Sequence, residues 1–245
     1  MTYVERRPSA ALRPWVECIW TRTSATAEPE HRILPDGCAD LVFDLTEGES
    51  AVVGTMTRPL ILPPGGPSSL IGVRFNPGRA AAFLRMPLAE VTDARVPLGA
   101  IWPDWSDGAI EHPDFMARLQ TELLRRLDPE RDRRVDAAIA HIVAHSGNVR
   151  IDPLAREIGI SRQHLARQFL HHVGVPPKTF ARVVRFRRLT EQLGTRTRGW
   201  AEVALEHGFY DQSHLIAEFR ELAGTTPDAF QFSNRGTGAG AMLRP

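Results

Sequence analysis

The segment "SRQHLARQFL", residues 161–170, carries three side chains with the chemistry of base recognition: Arg162, Gln163 and Arg167. The planar guanidinium fork of Arg167 fits the O6 and N7 acceptors of guanine, a contact type worth roughly 1–3 kcal/mol of discrimination, and the amide of Gln163 pairs with adenine by similar geometry. Arg162 suits a phosphate as well as a base. Leu165 and Phe169, four residues apart, face a core, which leaves Arg162, Gln163, Ala166, Arg167 and Leu170 on the outer face. Fifty residues later "DQSHLIAEFR" repeats the pattern with weaker readers. Gln212, Ser213 and His214 stand near the start for phosphates or base edges, Ile216 suits a thymine methyl, and Ala217 offers no hydrogen bond where Arg167 stood. Arg196, Arg198 and Arg220 are candidate phosphate partners; for each of these arginines the plain alternative is a solvated surface charge.

Other chemistries are less well supplied. A metal-dependent enzyme of the cupin type needs clustered histidines and carboxylates, and residues 1–110 contain a single histidine, His31. His141 and His145 have the four-residue spacing of a ligand pair on a helix but no third ligand in view, and His171 and His172 stand out no more. Cys18 and Cys38 are too few for a disulfide framework or a zinc cluster, and Cys38 in the turn "PDGCAD" reads as a small buried thiol, with a redox-sensing thiol as the alternative. No catalytic triad, phosphate-binding glycine loop, metal or cofactor is expected. The competing function class is an N-terminal enzyme fused to a helical domain that addresses it to DNA or protein.

The elements that must position the two recognition segments repeat as well. Gly159 aligns with Gly208 at an offset of 49, whereas Leu165 with Leu215, Phe169 with Phe219, Gly174 with Gly224, Pro177 with Pro227 and Phe180 with Phe230 align at 50. One residue has therefore been added in the second turn. Each copy has a short helix with an inward alanine (Ala155, Ala204), a glycine where the chain turns tightly, and a second helix. The Asp152-Pro153 pair suits the start of the first helix, and Ser161 and Asp211 suit the N-caps of the second helices. That is helix-turn-helix geometry, in which the second helix projects into a major groove about 12 Å wide. The helix expected over residues 177–193 is long enough to hold the two copies about one turn of DNA apart.

The N-terminal half has a different texture. Short β-branched and aromatic runs ("VECIWTRT", "HRIL", "ADLVFDL", "AVVGT", "SLIGVRF") broken by Pro, Gly and Asp indicate a small antiparallel barrel or sandwich. "GRAAAFLRM" then reads as helical. "HPDFMARLQTELLRRL" places Met116, Leu119, Leu123 and Leu127 on one helical stripe, to be covered by the chain's own barrel or by a second copy in a homodimer. The break "DPERDRR" sets a division into an N-terminal domain, 1–129, a helical domain, 130–235, and a disordered Gly/Ala-rich tail, 236–245. The formal net charge of +1 conceals a difference between the halves: residues 1–130 hold 13 basic and 18 acidic groups, and residues 131–245 hold 17 and 11. A basic second half suits a polyanion. With no signal-like N-terminus and no apolar run of roughly 20 residues, the expected location is the cytoplasm.

The helical half resembles the AraC/XylS family of bacterial transcription regulators over residues 131–232, through "HGFYDQSHL", "EFRELAGTTPDAF" and Arg185 on the long connecting helix. The resemblance implies a seven-helix domain whose two helix-turn-helix units enter successive major grooves on one face of double-stranded DNA. It further implies an N-terminal β-barrel, cupin-like in form, that senses a small-molecule effector or mediates dimerisation, hence an α+β chain overall, with RNA polymerase as a partner and activation as an outcome. The N-terminal half resembles a sensor domain found ahead of such units through "ILPDGCADLVFDL" and "GVRFNPGRAAAFL", with the effector and its residues left open. The chain departs from the family at Ala217, where an arginine usually stands, which points to a second recognition helix that docks mainly on backbone.

Overall fold

The computed structural model describes residues 1–193 and 199–231. Its first half is built on a six-stranded antiparallel sheet in the order β1-β2-β7-β4-β5-β8, formed by β1 (Thr2–Arg6), β2 (Val16–Ser24), β4 (Asp40–Asp44), β5 (Glu49–Val53), β7 (Ser68–Phe75) and β8 (Arg95–Pro97). A two-stranded sheet pairs β3 (His31–Ile33) with β6 (Leu60–Leu62). The expected barrel is open: β1 and β8 are the two edges and do not pair with each other.

Residues paired across antiparallel strands share a face of the sheet. One face is therefore apolar, with Ile19 beside Val73 and Leu41, and Ile71 beside Phe43. It packs on α1 (Ala81–Leu84), α2 (Leu98–Ile101) and α3 (Phe115–Arg126) in a core that includes Phe83, Trp102, Phe115, Leu119 and Leu123. Met116 and Leu127 lean on that same core. The α3 stripe is thus covered by the chain's own sheet, and the sequence argument for a second copy falls away.

The second half is helical: α4 (Arg133–Ala144), α5 (Ile151–Glu157), α6 (Arg162–His172), α7 (Pro177–Gln192), α8 (Trp200–Glu206) and α9 (Gln212–Ala223), with residues 227–231 helical as far as the described chain runs. Helix α7 serves two cores. Its Phe180 and Ala181 pack with α4, α5 and α6, whereas Val183, Phe186 and Leu189 pack with α8 and α9.

The halves are docked on each other. Thr55 Oγ1 donates to Val173 O (2.6 Å) and Thr92 Oγ1 to Gly174 O (2.7 Å), so the N-terminal half satisfies two carbonyls just beyond the end of α6. Arg79 pairs with Asp136 at 2.6 Å. Leu34 is buried in the α7–α9 core, a burial worth about 1.5–3 kcal/mol. Gly37, with φ of +83°, lies under the Phe180 ring so closely that a Cβ there would sit 2.7 Å from Cε2.

Candidate nucleic-acid interface

Each helix-turn-helix unit is fixed by the same small set of backbone devices. Gly159 and Gly208 take φ of +74° and +72°, a left-handed conformation that only glycine adopts cheaply. Behind them Ile160 N donates to Ala155 O (3.0 Å) and Phe209 N to Ala204 O (2.8 Å). Ala155 and Ala204 are fully buried and bring the short helix close to its partner. Ser161 Oγ accepts from His164 N (3.1 Å) and Asp211 Oδ1 from His214 N (2.7 Å), capping α6 and α9 as expected. Helix α5 starts two residues before the expected Pro153, at Ile151. Pro153 is tolerated because the first four N–H groups of a helix have no partner inside it.

Burial follows the repeat position by position. Residues 161–167 and 211–217 show the same sequence of states: three exposed, one half-buried, one buried (Leu165 or Leu215), one half-buried and one exposed (Arg167 or Ala217). Arg162, Gln163, Arg167 and Leu170 project from α6, and Gln212, Ser213, Ala217 and Arg220 from α9. Arg167 Nη2 lies 3.2 Å from His164 Nδ1, and Arg162 Nε lies 3.3 Å from Asp152 in an exposed pair.

Three assigned residues are less free than the sequence suggested. Ala166 is half-buried, and Ile216 leans on the α7–α9 core. His214 Nδ1 accepts from Tyr210 N (3.2 Å), and its Nε2 lies 3.6 Å from Glu218, so the ring braces the turn. Arg196 and Arg198 lie outside the described residues, as does the tail 236–245.

Tyr210 is the residue that the sequence reading passed over. The second copy has two residues, Phe209 and Tyr210, between its turn glycine and Asp211, whereas the first copy has only Ile160 between its glycine and Ser161, and the extra position is filled by Tyr210. It is 86% exposed beside the start of α9. The added residue was legible in the repeat; its outward direction was not.

The connecting helix braces the second unit. Arg185 Nη1 donates to Gly208 O (3.0 Å) and its guanidinium lies 4.7 Å from the centre of the Phe209 ring. Burial pulls its pKa below the ordinary arginine value. Arg182 Nε is shared between both Glu218 oxygens (2.8 and 3.1 Å), and its Nη2 reaches Glu221 (2.5 Å). Glu218 therefore faces the interior. An Ala217→Arg substitution should consequently project toward the ligand side without capture by Glu218, adding affinity or a new base preference at the second half-site. A binding-site selection on the variant checks this, and an unchanged profile at unchanged affinity counts against it.

The remaining candidates have plain structural roles. Both cysteines are buried, and burial lifts Cys18 to about 12 and Cys38 well above the ordinary thiol range, which suppresses the reactive thiolate. His141 and His145 stack with ring centres 4.2 Å apart. Among the described residues no group of three or more His, Cys, Asp or Glu is placed to hold a metal ion, and no helix is long and apolar enough to cross a membrane.

Two capped helix-turn-helix units strung on one helix define a DNA-binding protein of the double helix-turn-helix class. Residues 154–232 match a family described as a helix-turn-helix domain, and residues 4–97 match a domain of unknown function, DUF6597. Over 95 residues the chain is 26% identical to the HTH-type transcriptional activator AarP of Providencia stuartii, a stretch that takes in 39% of this chain and 70% of that protein. Among solved structures, an AraC-type regulator from Chromobacterium violaceum is similar over 43% of this chain and 95% of its own, at 21% identity and a TM-score of 0.39. ToxT from Vibrio cholerae is similar over 86% of this chain and 98% of its own, at 10% identity and a TM-score of 0.45. The chain is a DNA-binding transcription regulator of the AraC/XylS type.

Proposed function

We propose that residues 130–235 bind operator DNA through two successive major grooves, with α6 reading bases through Arg167 and Gln163 and α9 docking mainly on backbone through Gln212, Ser213 and Arg220. Tyr210 adds a hydroxyl for a phosphate. Residues 1–129 form the sensing domain, whose small-molecule effector lies between the two sheets. The regulator acts in the cytoplasm as an activator, as the relative's name states of that protein, by engaging RNA polymerase. The observation that supports the reading best is the matched exposure of residues 161–167 and 211–217, which presents two outward helix faces in the same register of a duplicated unit.

The test uses the full chain, because Leu34 of the first half is part of the second unit's core. Binding to DNA from the gene's own upstream region is titrated between 50 and 200 mM salt. Roughly six phosphate contacts give a log–log slope of about −5 through counterion release. A slope near zero, or no binding at low salt, overturns the reading.

A further inference from the structure

Residues that dock the N-terminal half on the helices alternate in the chain with residues that face a cavity. Ile33 and Met56 line a cavity of about 360 Å³ between the main sheet and the β3–β6 sheet. Their neighbours Leu34 and Thr55 point the other way, Leu34 into the α7–α9 core and Thr55 to its hydrogen bond with Val173 O. The walls are mostly apolar, with Val42, Leu60, Leu62 and Leu70 among them, and the volume suits a small organic molecule. Trp20 crosses the floor. A Cβ on Gly72 would fall 1.9 Å from its ring, so glycine admits the indole, which donates from Nε1 to Asp40 Oδ1 at 2.8 Å.

Neither end of the cavity selects an ion. At one end Asp36 and Asp40 lie 3.3 and 3.6 Å from Arg74. Arg95 stands in the row of Asp40, across Val53, and lines the cavity there, while Arg187 of α7 faces the charge of Asp36 from the helical half. At the other end Arg22, 5% exposed, is ion-paired with Glu28. Asp44 stands in the row of Arg22, across Leu70, and accepts from Thr46 N (2.9 Å) and Glu47 N (3.1 Å). What that end leaves over is donors rather than charge. Among the described residues, Arg22 Nε and Ser68 Oγ are buried without a hydrogen-bond partner. Arg22 pairs with Leu70 and Ser24 with Ser68, so Arg22 and Ser68 are diagonal neighbours on one face of the sheet, and both line the cavity. A buried donor without a partner carries its full desolvation penalty, and an acceptor that meets it removes that penalty.

We propose that this cavity takes an uncharged, largely apolar carbonyl compound, its carbonyl oxygen accepting from Arg22 Nε and Ser68 Oγ and its hydrocarbon body lying along Val42, Leu60 and Leu70. The assignment rests on the reading of residues 1–129 as a small-molecule sensor. A carbonyl oxygen has two lone pairs and matches both donors with one atom. A carboxylate would bring a third negative charge to the single cation that Glu28 already holds and Asp44 flanks, and an ammonium would set its own hydrogens against those of Arg22. Either ion would also exchange water for mostly apolar walls. The alternation along the chain links the ligand to DNA binding. A molecule held between the sheets fixes Ile33 and Met56, and with them Leu34 in the core of the second unit and Thr55 at the end of α6.

The experiment compares 4-phenylbutan-2-one, butylbenzene, 4-phenylbutanoate and 4-phenylbutylamine, four molecules of one carbon skeleton, by thermal unfolding of the full chain. The ketone is expected to raise the midpoint by a few degrees, the hydrocarbon by less, and the two ions not at all. Ser68→Ala removes a hydroxyl that has no partner, so the free protein should keep its midpoint while the ketone loses much of its advantage over butylbenzene. In Val42→Trp, which fills the cavity, the ketone should have no effect. Equal shifts with ketone and hydrocarbon, an ion that matches the ketone, no shift with the ketone, a ketone advantage undiminished in Ser68→Ala, or a ketone effect that survives Val42→Trp each overturns the assignment. Should Val42→Trp fail to fold, the comparison in Ser68→Ala decides. Binding to upstream DNA is measured on the same preparations with and without the ketone. Intact DNA binding with no ketone shift removes only the ligand class, a ketone shift that leaves DNA affinity unchanged keeps the site and removes its sensing role, and lost DNA binding in the wild type removes the regulator reading itself.

Discussion

Arg167→Ala is expected to weaken operator binding by about 5- to 150-fold, the equivalent of roughly 1–3 kcal/mol, and to relax base preference at one position of the first half-site. The side chain is exposed and its polar contact among the described residues is with His164 on the same helix at 3.2 Å, so its removal leaves the core of α6 untouched and the unfolding midpoint unchanged. The loss is then assignable to DNA. Gln212→Ala and Ser213→Ala, at the exposed start of α9, should weaken binding evenly across sequences, as expected for backbone contacts. A binding-site selection on the wild type and these variants at one salt concentration separates the two behaviours. Should the wild type demand a sharply defined second half-site that survives in Arg167→Ala, then α9 is the principal reader and the division of labour is reversed.

The repeat was legible in the sequence because its marks are local. Gly159, Gly208, Ser161 and Asp211 are each demanded by the backbone of a single turn, and all four occupy the expected conformations. Five strands of the first half were also legible as short β-branched or aromatic runs. The strands β1, β6 and β8 were missed: two are only three residues long, and β1, "TYVER", is an edge strand with little buried surface to impose a pattern. What a linear reading does not contain is which face meets which. The α3 stripe looked equally suited to a partner copy or to the chain itself, and the deciding contacts, Leu119 and Leu123 against the sheet, come from strands up to about a hundred residues earlier. The docking of Leu34, Gly37, Thr55 and Thr92 onto the helical half is of the same kind. So is the meeting of Arg74 with Asp40 on the neighbouring strand and with Asp36 just before it, which depends on strand order rather than on any motif.

Glu218→Ala is expected to lower stability by about 2–3 kcal/mol, just under the roughly 3–5 kcal/mol that breaking a fully buried ion pair costs. Glu218 follows Ala217 directly in the sequence. The structure turns it inward with Leu215 and Phe219, where both its oxygens accept from Arg182 Nε and one lies 3.6 Å from His214 Nε2. Its loss leaves Arg182 partly buried but still held by Glu221, which places the cost below that of a fully orphaned charge. Because Arg182 belongs to α7 and Glu218 to α9, the pair fixes the second recognition helix to the helix that also carries the first unit's Phe180. The variant should therefore lose footprint protection at the second half-site before the first, and unfold several degrees earlier. Glu221→Ala is the control, since its carboxylate is largely exposed and such pairs contribute about 0–1 kcal/mol. A Glu218→Ala protein with the wild-type midpoint and an intact second footprint would show that α9 is held by its apolar contacts alone, and that the ion pair sets neither its position nor its affinity for DNA.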